Sequence, residues 1–145
     1  MAMDENNSGT CPVDRGLMRV GDRWSILILR DIERGLTRYD QMRTSLGIAP
    51  NILSRRLSAL SEAGLIEKRR YSQRPPRDEY LLTEAGRDFL PILAAIGAWG
   101  RKHNGKGALT RQIDVGTGET IRPVVIDANT GAPLGSRPLR FEYPV

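Results

Sequence analysis

Cationic side chains are concentrated in one short stretch of this chain, from Pro50 to Arg77. The stretch holds seven cations against two acids, a net charge of +5, which equals the formal net charge of the whole 145-residue chain. The cations are Arg55, Arg56, Lys68, Arg69, Arg70, Arg74 and Arg77. Ammonium and guanidinium groups neutralise phosphates, so a positive charge confined to one segment indicates a defined surface for a polyanion. We therefore expect a nucleic-acid partner.

Residues 49–64, at the start of this stretch, are predicted to form a helix with one buried and one exposed face. Leucines at i, i+4 and i+7 define the buried face: Leu53, Leu57 and Leu60. The opposite face carries side chains suited to base or phosphate contact. The alternative is that these side chains are only solvated. Arg55 suits bidentate contact with guanine, Asn51 suits adenine, and Arg56, nearer the boundary, suits a phosphate. The candidate DNA contacts on this helix are Pro50, Asn51, Ser54, Arg55, Arg56 and Ser58.

Two β-like runs, residues 66–72 and 78–82, complete the stretch as a predicted hairpin. The tip, residues 74–77, contains two consecutive prolines that cannot continue a ladder, so it should be an exposed turn. We expect Arg74 and Arg77 to meet the minor groove or its phosphates. Arg77 has a second interpretation as a structural partner of Glu79 or Glu84.

Three helices are predicted before this stretch. Residues 12–20 start with a proline, residues 23–34 are apolar on nearly all sides and end at Gly35, and residues 38–46 have Thr37 as N-cap. A helix, a break at Gly47 and another helix are typical of a helix-turn-helix, although many α-hairpins share that spacing. Arg38 and Arg43 are candidate phosphate anchors, or simply solvated.

One long helix, from Thr83 to about His103, is predicted after the hairpin. Pro91 should kink it, and Gly97 and Gly100 would allow another helix to approach closely. Its apolar side is too wide for so small a monomer, which favours a second copy of the chain as partner.

The last segment, residues 105–145, has no helical period. It contains two Asp-x-x-Thr-Gly turns that start at Asp114 and Asp127, and residues 121–126 between them are predicted to be a strand. Two short hairpins are the simplest arrangement.

The composition excludes several protein classes. The single cysteine, Cys11, rules out an internal disulfide framework and fits a reducing cytoplasm, and the apolar runs are far shorter than the ~20 residues that span a bilayer. Residues 1–10 are polar, predicted to be disordered, and unlike a secretion signal.

With one histidine there is no convincing catalytic dyad or metal cluster. Gly100, Gly105 and Lys106 mimic a phosphate-binding loop, but a glycine follows where Ser or Thr must hold magnesium. We expect neither an enzyme nor a cofactor.

The chain resembles the HxlR-type transcriptional regulators over residues 11–103. The matching runs are Cys11-Pro12-Val13, Gly21-Asp22-Arg23-Trp24 with Leu27-Ile28-Leu29-Arg30, Arg38-Tyr39, Pro50 with Leu53-Ser54 and Arg56-Leu57, Gly64-Leu65, Pro76-Arg77 with Glu79-Tyr80, and Trp99. Arg23 replaces the family's usual lysine. The runs occur in order and at the right spacing, which makes the resemblance specific.

The resemblance implies a MarR-like winged helix-turn-helix, mainly α with a β-wing. It also implies a homodimer built from the first and last helices. Two recognition helices would then enter successive major grooves of a palindromic operator, with each wing at the minor groove. The dimer interface would include Leu17, Phe89, Ile92, Leu93, Ile96 and Trp99.

The resemblance carries two further expectations. In several relatives the cysteine at the position of Cys11 senses oxidants or electrophiles; the alternative is a packed thiol. Some family members have C-terminal Cys-x-x-Cys-Gly knuckles, but this chain has Gly116-Thr117-Gly118 and Asn129-Thr130-Gly131 there, so no zinc ribbon is expected.

These observations predict a domain organisation and a function. Residues 1–10 would be a disordered tail, 11–104 a winged-helix domain for DNA binding and dimerisation, and 105–145 a small β-rich extension. The predicted function is a dimeric, sequence-specific, DNA-binding transcriptional regulator in the cytoplasm, with a possible small-molecule or redox effector. The alternative is a protein-interaction or ligand-sensing winged helix without direct DNA readout.

Overall fold

Six helices and one two-stranded hairpin make up the fold in a computed structural model that describes residues 9–145. They are α1 (Pro12–Val20), α2 (Arg23–Glu33), α3 (Tyr39–Leu46), α4 (Pro50–Glu62), β1 (Ile66–Gln73), β2 (Pro76–Leu82), α5 (Glu84–Asp88) and α6 (Leu90–His103). This order confirms the predicted mainly α architecture with a β-wing. The predicted disordered tail lies largely outside the described residues.

The chain divides into two compact units, the first of which comprises the residues up to Leu90 together with Pro144–Val145, while the second spans Pro91–Tyr143. The division falls earlier than residue 104, where the composition changes, so α6 from Pro91 onward belongs to the second unit.

The core of the first unit forms where α2 meets α3, α4 and the hairpin. Helix α2 contributes three of its side chains and α4 contributes its leucine face, as their apolar periods predicted. The buried apolar residues are Val20, Ile28, Leu29, Ile32, Met42, Ile48, Leu53, Leu57, Leu60, Leu65 and Ile66. Because these side chains are packed on one face of α4, its opposite face is left to solvent.

The start of α3 differs from the prediction. Arg38, not Thr37, is the N-cap, and its backbone N–H donates to Gln41 Oε1 at 3.1 Å. Thr37 is instead committed to the hairpin: its carbonyl accepts from the Tyr80 N–H at 2.8 Å, and its hydroxyl donates to Glu79 at 3.3 Å. These contacts with β2 come from 42 and 43 positions further along the chain, so local capping rules could not anticipate them.

The hairpin, hereafter the wing, is an antiparallel pair in which Ile66 faces Leu82 and Gln73 faces Pro76. The turn is therefore only Arg74 and Pro75, shorter than the predicted tip. Pro76 is the first residue of its strand, a position that tolerates the missing N–H donor. The ladder is irregular between Arg70 and Ser72.

The predicted helix from Thr83 to His103 is two helices, separated at Phe89. Thr83 caps the first of them by accepting from the Gly86 N–H at 3.2 Å. Pro91 cannot donate the i→i−4 hydrogen bond to the Arg87 carbonyl, and the helix ends before it rather than bending through it.

In the second unit, the two predicted turns are present but the strand over residues 121–126 is not. The Gly118 N–H donates to the Asp114 carbonyl and the Gly131 N–H to the Asp127 carbonyl, both at 2.7 Å. Each turn closes only an isolated bridge, Ile113 with Thr120 and Ile126 with Pro133. A proline in a bridge pair supplies no ladder N–H, so the second hairpin cannot extend there.

Candidate nucleic-acid interface

Helix α4 presents the predicted polar face to solvent. Asn51, Ser54, Arg55 and Ser58 are all exposed, whereas the leucines opposite them are buried. Arg55 forms no hydrogen bond or ion pair with any residue in the described range 9–145. The N–H donors of its guanidinium are therefore available to an external acceptor.

The start of α4 is fixed by a neighbouring tyrosine. The Tyr39 hydroxyl donates to the Pro50 carbonyl at 2.9 Å and lies 3.4 Å from Ser54 Oγ. The Pro50 carbonyl and the Ser54 hydroxyl thus have a partner inside the protein, and they are less free for a ligand than Asn51 and Arg55.

Arg56 points away from this exposed face. Its Nη1 lies 3.4 Å from Asp22 Oδ2, and its Nε is buried without a hydrogen-bond partner among the described residues. The side chain remains 41% exposed. The structure therefore places Arg56 at the boundary of the exposed face, as predicted, in contact with the N-terminus of α2, and its phosphate contact stays a prediction.

Most cations on the strands of the wing are paired across the ladder. Arg69 Nη2 lies 2.6 Å from Glu79 Oε1, Arg70 Nε lies 3.2 Å from Asp78 Oδ1, and Lys68 Nζ lies 3.7 Å from Asp78 Oδ2. The charge count from the sequence ended at Arg77 and so omitted both acids. The strands are consequently less positive than the sequence suggested.

Glu79 is held in its charged form. The hydrogen bond from Arg69 lowers the pKa of this carboxyl below its ordinary value of 4.5. The positive charge of Arg69, the Thr37 hydroxyl and the charge of Arg38 act in the same direction, while partial burial opposes them. Through its contacts with Thr37 and Arg38, Glu79 links the wing to the segment before α3.

The tip of the wing carries the unpaired cations. Arg74 and Arg77 are exposed, and within the part of the chain that the structure describes neither forms an ion pair. The structural interpretation of Arg77, as a partner of Glu79 or Glu84, is therefore not seen. The unpaired positive charge of the wing therefore lies at its turn, on Arg74, and at the adjacent start of β2, on Arg77.

Arg38 and Arg77 line the same shallow groove between the start of α3 and the wing. The Arg38 guanidinium carbon lies 4.4 Å from the centre of the Tyr71 ring, which holds the cation in place by a cation–π contact. Asp78 also lines this groove. Tyr71 was not among the predicted site residues, because only the tertiary fold brings it to Arg38.

The residues predicted for a dimer interface leave much of their apolar surface uncovered. The exposed fractions are 51% for Leu17, 50% for Ile92, 46% for Ile96 and 69% for Trp99. Phe89 and Leu93 are half-buried. The role of all six stays a prediction.

Cys11, the predicted redox-sensing thiol, is free and half-buried at the N-cap of α1. Across residues 9–145, no three His, Cys, Asp or Glu side chains form a group that could hold a metal ion. In the same residues, no helix combines the length and apolarity needed to cross a bilayer.

Comparison with known proteins identifies a matching family and similar structures. The pattern of the HxlR-like helix-turn-helix family matches residues 19–107. The HTH-type transcriptional regulator Rv3095 of Mycobacterium tuberculosis is 44% identical over 91 residues, which cover 63% of this chain and 58% of that protein. The chain thus matches less than two thirds of that relative's length.

Two solved structures are also similar. The chain superposes on PA1607, described as a transcription factor, with a TM-score of 0.85 and 34% identity, covering 96% of this chain and 99% of the other. It superposes on the redox regulator HypR in its oxidized form with a TM-score of 0.60 and 31% identity, covering 64% of this chain and 97% of the other. A MarR-family regulator from Porphyromonas gingivalis is similar as well, with a TM-score of 0.60 and 33% identity, covering 71% of this chain and 97% of the other. These similarities confirm the predicted MarR-like winged helix-turn-helix fold.

Proposed function

The chain belongs to the HxlR-like helix-turn-helix family, and from this premise we propose that it is a sequence-specific transcriptional regulator that binds double-stranded DNA. Helix α4, hereafter the recognition helix, enters the major groove. The observation that carries this proposal is the exposed face of that helix, on which Asn51 and Arg55 lie one turn apart and are open to solvent. A bidentate contact of such a side chain with a base edge contributes about 1–3 kcal/mol of discrimination.

Phosphate contacts come from the wing tip and the groove beside α3. Arg74 and Arg77 carry charges without internal partners in the described residues, so no ion pair must break before they meet the DNA backbone. Arg38, held over the Tyr71 ring, adds a third cation in the groove that Arg77 also lines. Such contacts raise affinity and its salt dependence, and fix orientation without reading sequence.

The regulator acts as a homodimer on a palindromic operator. Helix α1 exposes Val13 by 70%, Leu17 by 51% and Met18 by 80%, and α6 exposes Trp99 by 69%. Large apolar side chains on two helices favour burial against another surface. A second copy of the chain provides it, with two-fold symmetry that matches the two half-sites. Sedimentation of a single species at monomer mass over the micromolar range would contradict this assembly.

Two finer points belong to the same proposal. The regulator works in the cytoplasm, where it meets chromosomal DNA, and has neither enzymatic activity nor a cofactor. Cys11 responds to oxidants or electrophiles, and because its free thiol is at the N-cap of a helix proposed for the dimer interface, its oxidation would alter that interface. HypR is described as a redox regulator, which supports this idea by similarity only.

A fluorescence-anisotropy titration tests the main proposal. The full chain is titrated against the DNA upstream of its own gene and against random DNA of equal length, at several salt concentrations. We expect tighter binding to the upstream DNA and a linear fall of log affinity with log salt. Equal affinity for both DNAs, or no salt-sensitive binding to any genomic fragment, would contradict sequence-specific recognition.

One observation favours a second candidate function, a protein-interaction module. The segment after α6 exposes apolar side chains, among them Val115 by 99%, Leu139 by 72% and Phe141 by 84%. A pull-down with and without nuclease treatment separates the two candidates. Capture of a partner that survives nuclease, together with no affinity for DNA, would favour this module over the regulator.

A further inference from the structure

We propose that residues 19–22, hereafter the α1–α2 corner, position the recognition helix, and that Arg56 acts through Asp22 rather than by touching DNA. This inference rests on the proposed function and assigns Arg19, Asp22 and Arg56 as positioning residues for base readout. Two independent contacts carry it, one near the middle of the recognition helix and one at its end.

The first contact joins Asp22 to Arg56. Asp22 is the N-cap of α2: its Oδ1 accepts from the Ser25 N–H and its Oδ2 from the Ser25 hydroxyl, each at 2.8 Å. The carboxylate is therefore already oriented when its Oδ2 meets Arg56 Nη1 at 3.4 Å. Because Arg56 Nε is buried, the inner edge of the guanidinium is enclosed by protein. Arg56 would have to give up this position to reach a phosphate.

The second contact joins α1 to the end of the recognition helix. Arg19 Nη1 donates to the Ala63 carbonyl at 2.5 Å, and Ala63 is the C-cap residue of that helix. The last carbonyls of a helix have no intrahelical partner and carry partial negative charge, so a cation there is favourable. Three positions separate Arg19 from Asp22 in the chain. One short corner thus contacts the recognition helix twice.

These polar contacts fix the rotation and position of the recognition helix more closely than the apolar core does. The leucine face fixes which side of the recognition helix is buried, but hydrophobic burial is non-directional and tolerates small rotations and shifts. Hydrogen bonds to base edges do not, since they weaken steeply away from about 2.9 Å and from linear geometry. Arg55 is adjacent to Arg56, so the corner sets where the base-reading side chain stands. Loss of the corner contacts should reduce specific binding and leave random-DNA binding nearly unchanged.

The competing interpretation is that Arg56 contacts a phosphate, as its sequence position predicted, and the two make opposite predictions for Asp22. The Asp22→Asn variant keeps the N-cap, because Asn caps about as well as Asp. It removes the charge that faces Arg56, and it replaces the oxygen that accepts from the Ser25 hydroxyl with an amide N–H donor, while the remaining oxygen still accepts from the Ser25 N–H. If Arg56 served DNA electrostatically, losing a nearby acid would leave or strengthen DNA binding. If Asp22 positions Arg56, the same change weakens binding to the upstream DNA.

The experiment compares Arg56→Gln, Asp22→Asn and the double variant with the native chain, by anisotropy on upstream and random DNA. Arg34→Gln is the control, because it removes one exposed cation from the end of α2. We expect each single change at the pair to lower affinity for upstream DNA roughly two- to fivefold, as a partly exposed ion pair allows. The double variant should lose no more than either single one. The salt slope should stay unchanged in all three.

The contrary result is equally specific. A phosphate contact contributes about 0.9 to the salt slope. If Arg56→Gln lowers the slope by that amount for each subunit bound, while Asp22→Asn binds upstream DNA as well as or better than the native chain, Arg56 is a DNA contact and the inference is wrong.

A measurement without DNA separates this inference from the proposed function. Amide hydrogen exchange of the free protein should speed up along the recognition helix in Arg56→Gln and Asp22→Asn, and at its last turn in Arg19→Met, but not in Arg34→Gln. If the native chain binds no DNA, the proposed function is wrong, but the hydrogen-exchange comparison still tests whether the α1–α2 corner positions the recognition helix. Unchanged exchange in all the corner variants would overturn the inference.

Discussion

The wing tip offers a prediction that compares two arginines of one hairpin. Arg74 is exposed at the turn and forms no ion pair in the described part of the chain, whereas Arg70 lies 3.2 Å from Asp78. We expect Arg74→Gln to remove a DNA phosphate contact. Arg70→Gln should remove a charge that the protein already neutralises. The two variants carry the same charge, so they form a matched pair.

The size of the effect follows from counterion release. Each phosphate contact contributes about 0.9 to the slope of log affinity against log salt, so its removal from both subunits of a dimer lowers the slope by about 1.8. Between about 50 and 200 mM salt, one contact corresponds to a factor of roughly 3.5 in affinity. Breaking the exposed Arg70–Asp78 pair should change stability by no more than about 1 kcal/mol.

The assay is the salt series of anisotropy titrations on upstream and random DNA. Arg74→Gln should weaken binding to both DNAs to a similar extent, because a phosphate contact reads no sequence. An equal fall of the slope in Arg70→Gln would show that cross-strand pairing does not withdraw charge from the interface. An unchanged slope in Arg74→Gln would show that the tip does not reach DNA. Either result would refute the reasoning.

Four further variants test the stability of the scaffold. Leu57 is only 2% exposed, so Leu57→Ala should lower the free energy of unfolding by about 2–5 kcal/mol in urea denaturation, and a loss under 1 kcal/mol would argue against the packed leucine face. Gly64 has φ of +77° and open space where a Cβ would stand, so Gly64→Ala should lose only about 1–2 kcal/mol. A Cβ on Gly86 would lie 2.1 Å from the Leu65 carbonyl oxygen, so Gly86→Ala should lose more than Gly64→Ala, and the reverse order would contradict that close approach. The pKa of Glu79 is lowered from 4.5, so the stabilisation that Glu79→Gln removes should be present above pH 4.5 and disappear as pH falls through the folded-state pKa; a difference in unfolding free energy that grows in acid would have the wrong sign.

Local patterns predicted the helices well. The spacing of Leu53, Leu57 and Leu60 identified the buried side of α4 and hence its exposed face, because one helical period determines both. Pro12 and Pro50 marked helix starts, and Gly35 and Gly64 marked helix ends through their left-handed backbone. Each of these signals lies within a few residues of the feature that it predicts.

The misjudged features depend on partners that are distant in sequence. The charge of the wing was overestimated because Asp78 and Glu79 neutralise strand cations through cross-strand register. The ion pair between Arg56 and Asp22 was not anticipated, because the two residues lie 34 positions apart. Tertiary contacts determine which cations remain unpaired and available to DNA. A count of charges along the chain cannot predict these contacts.

The most direct test of the account is the ratio of affinities for upstream and random DNA in the native chain and in Arg55→Ala. If the exposed guanidinium of the recognition helix reads a base, the ratio should fall by roughly 5- to 150-fold for each subunit bound, while random-DNA affinity changes far less. A ratio that stays the same, with equal losses on both DNAs, would mean that this face of α4 supplies charge but reads no sequence.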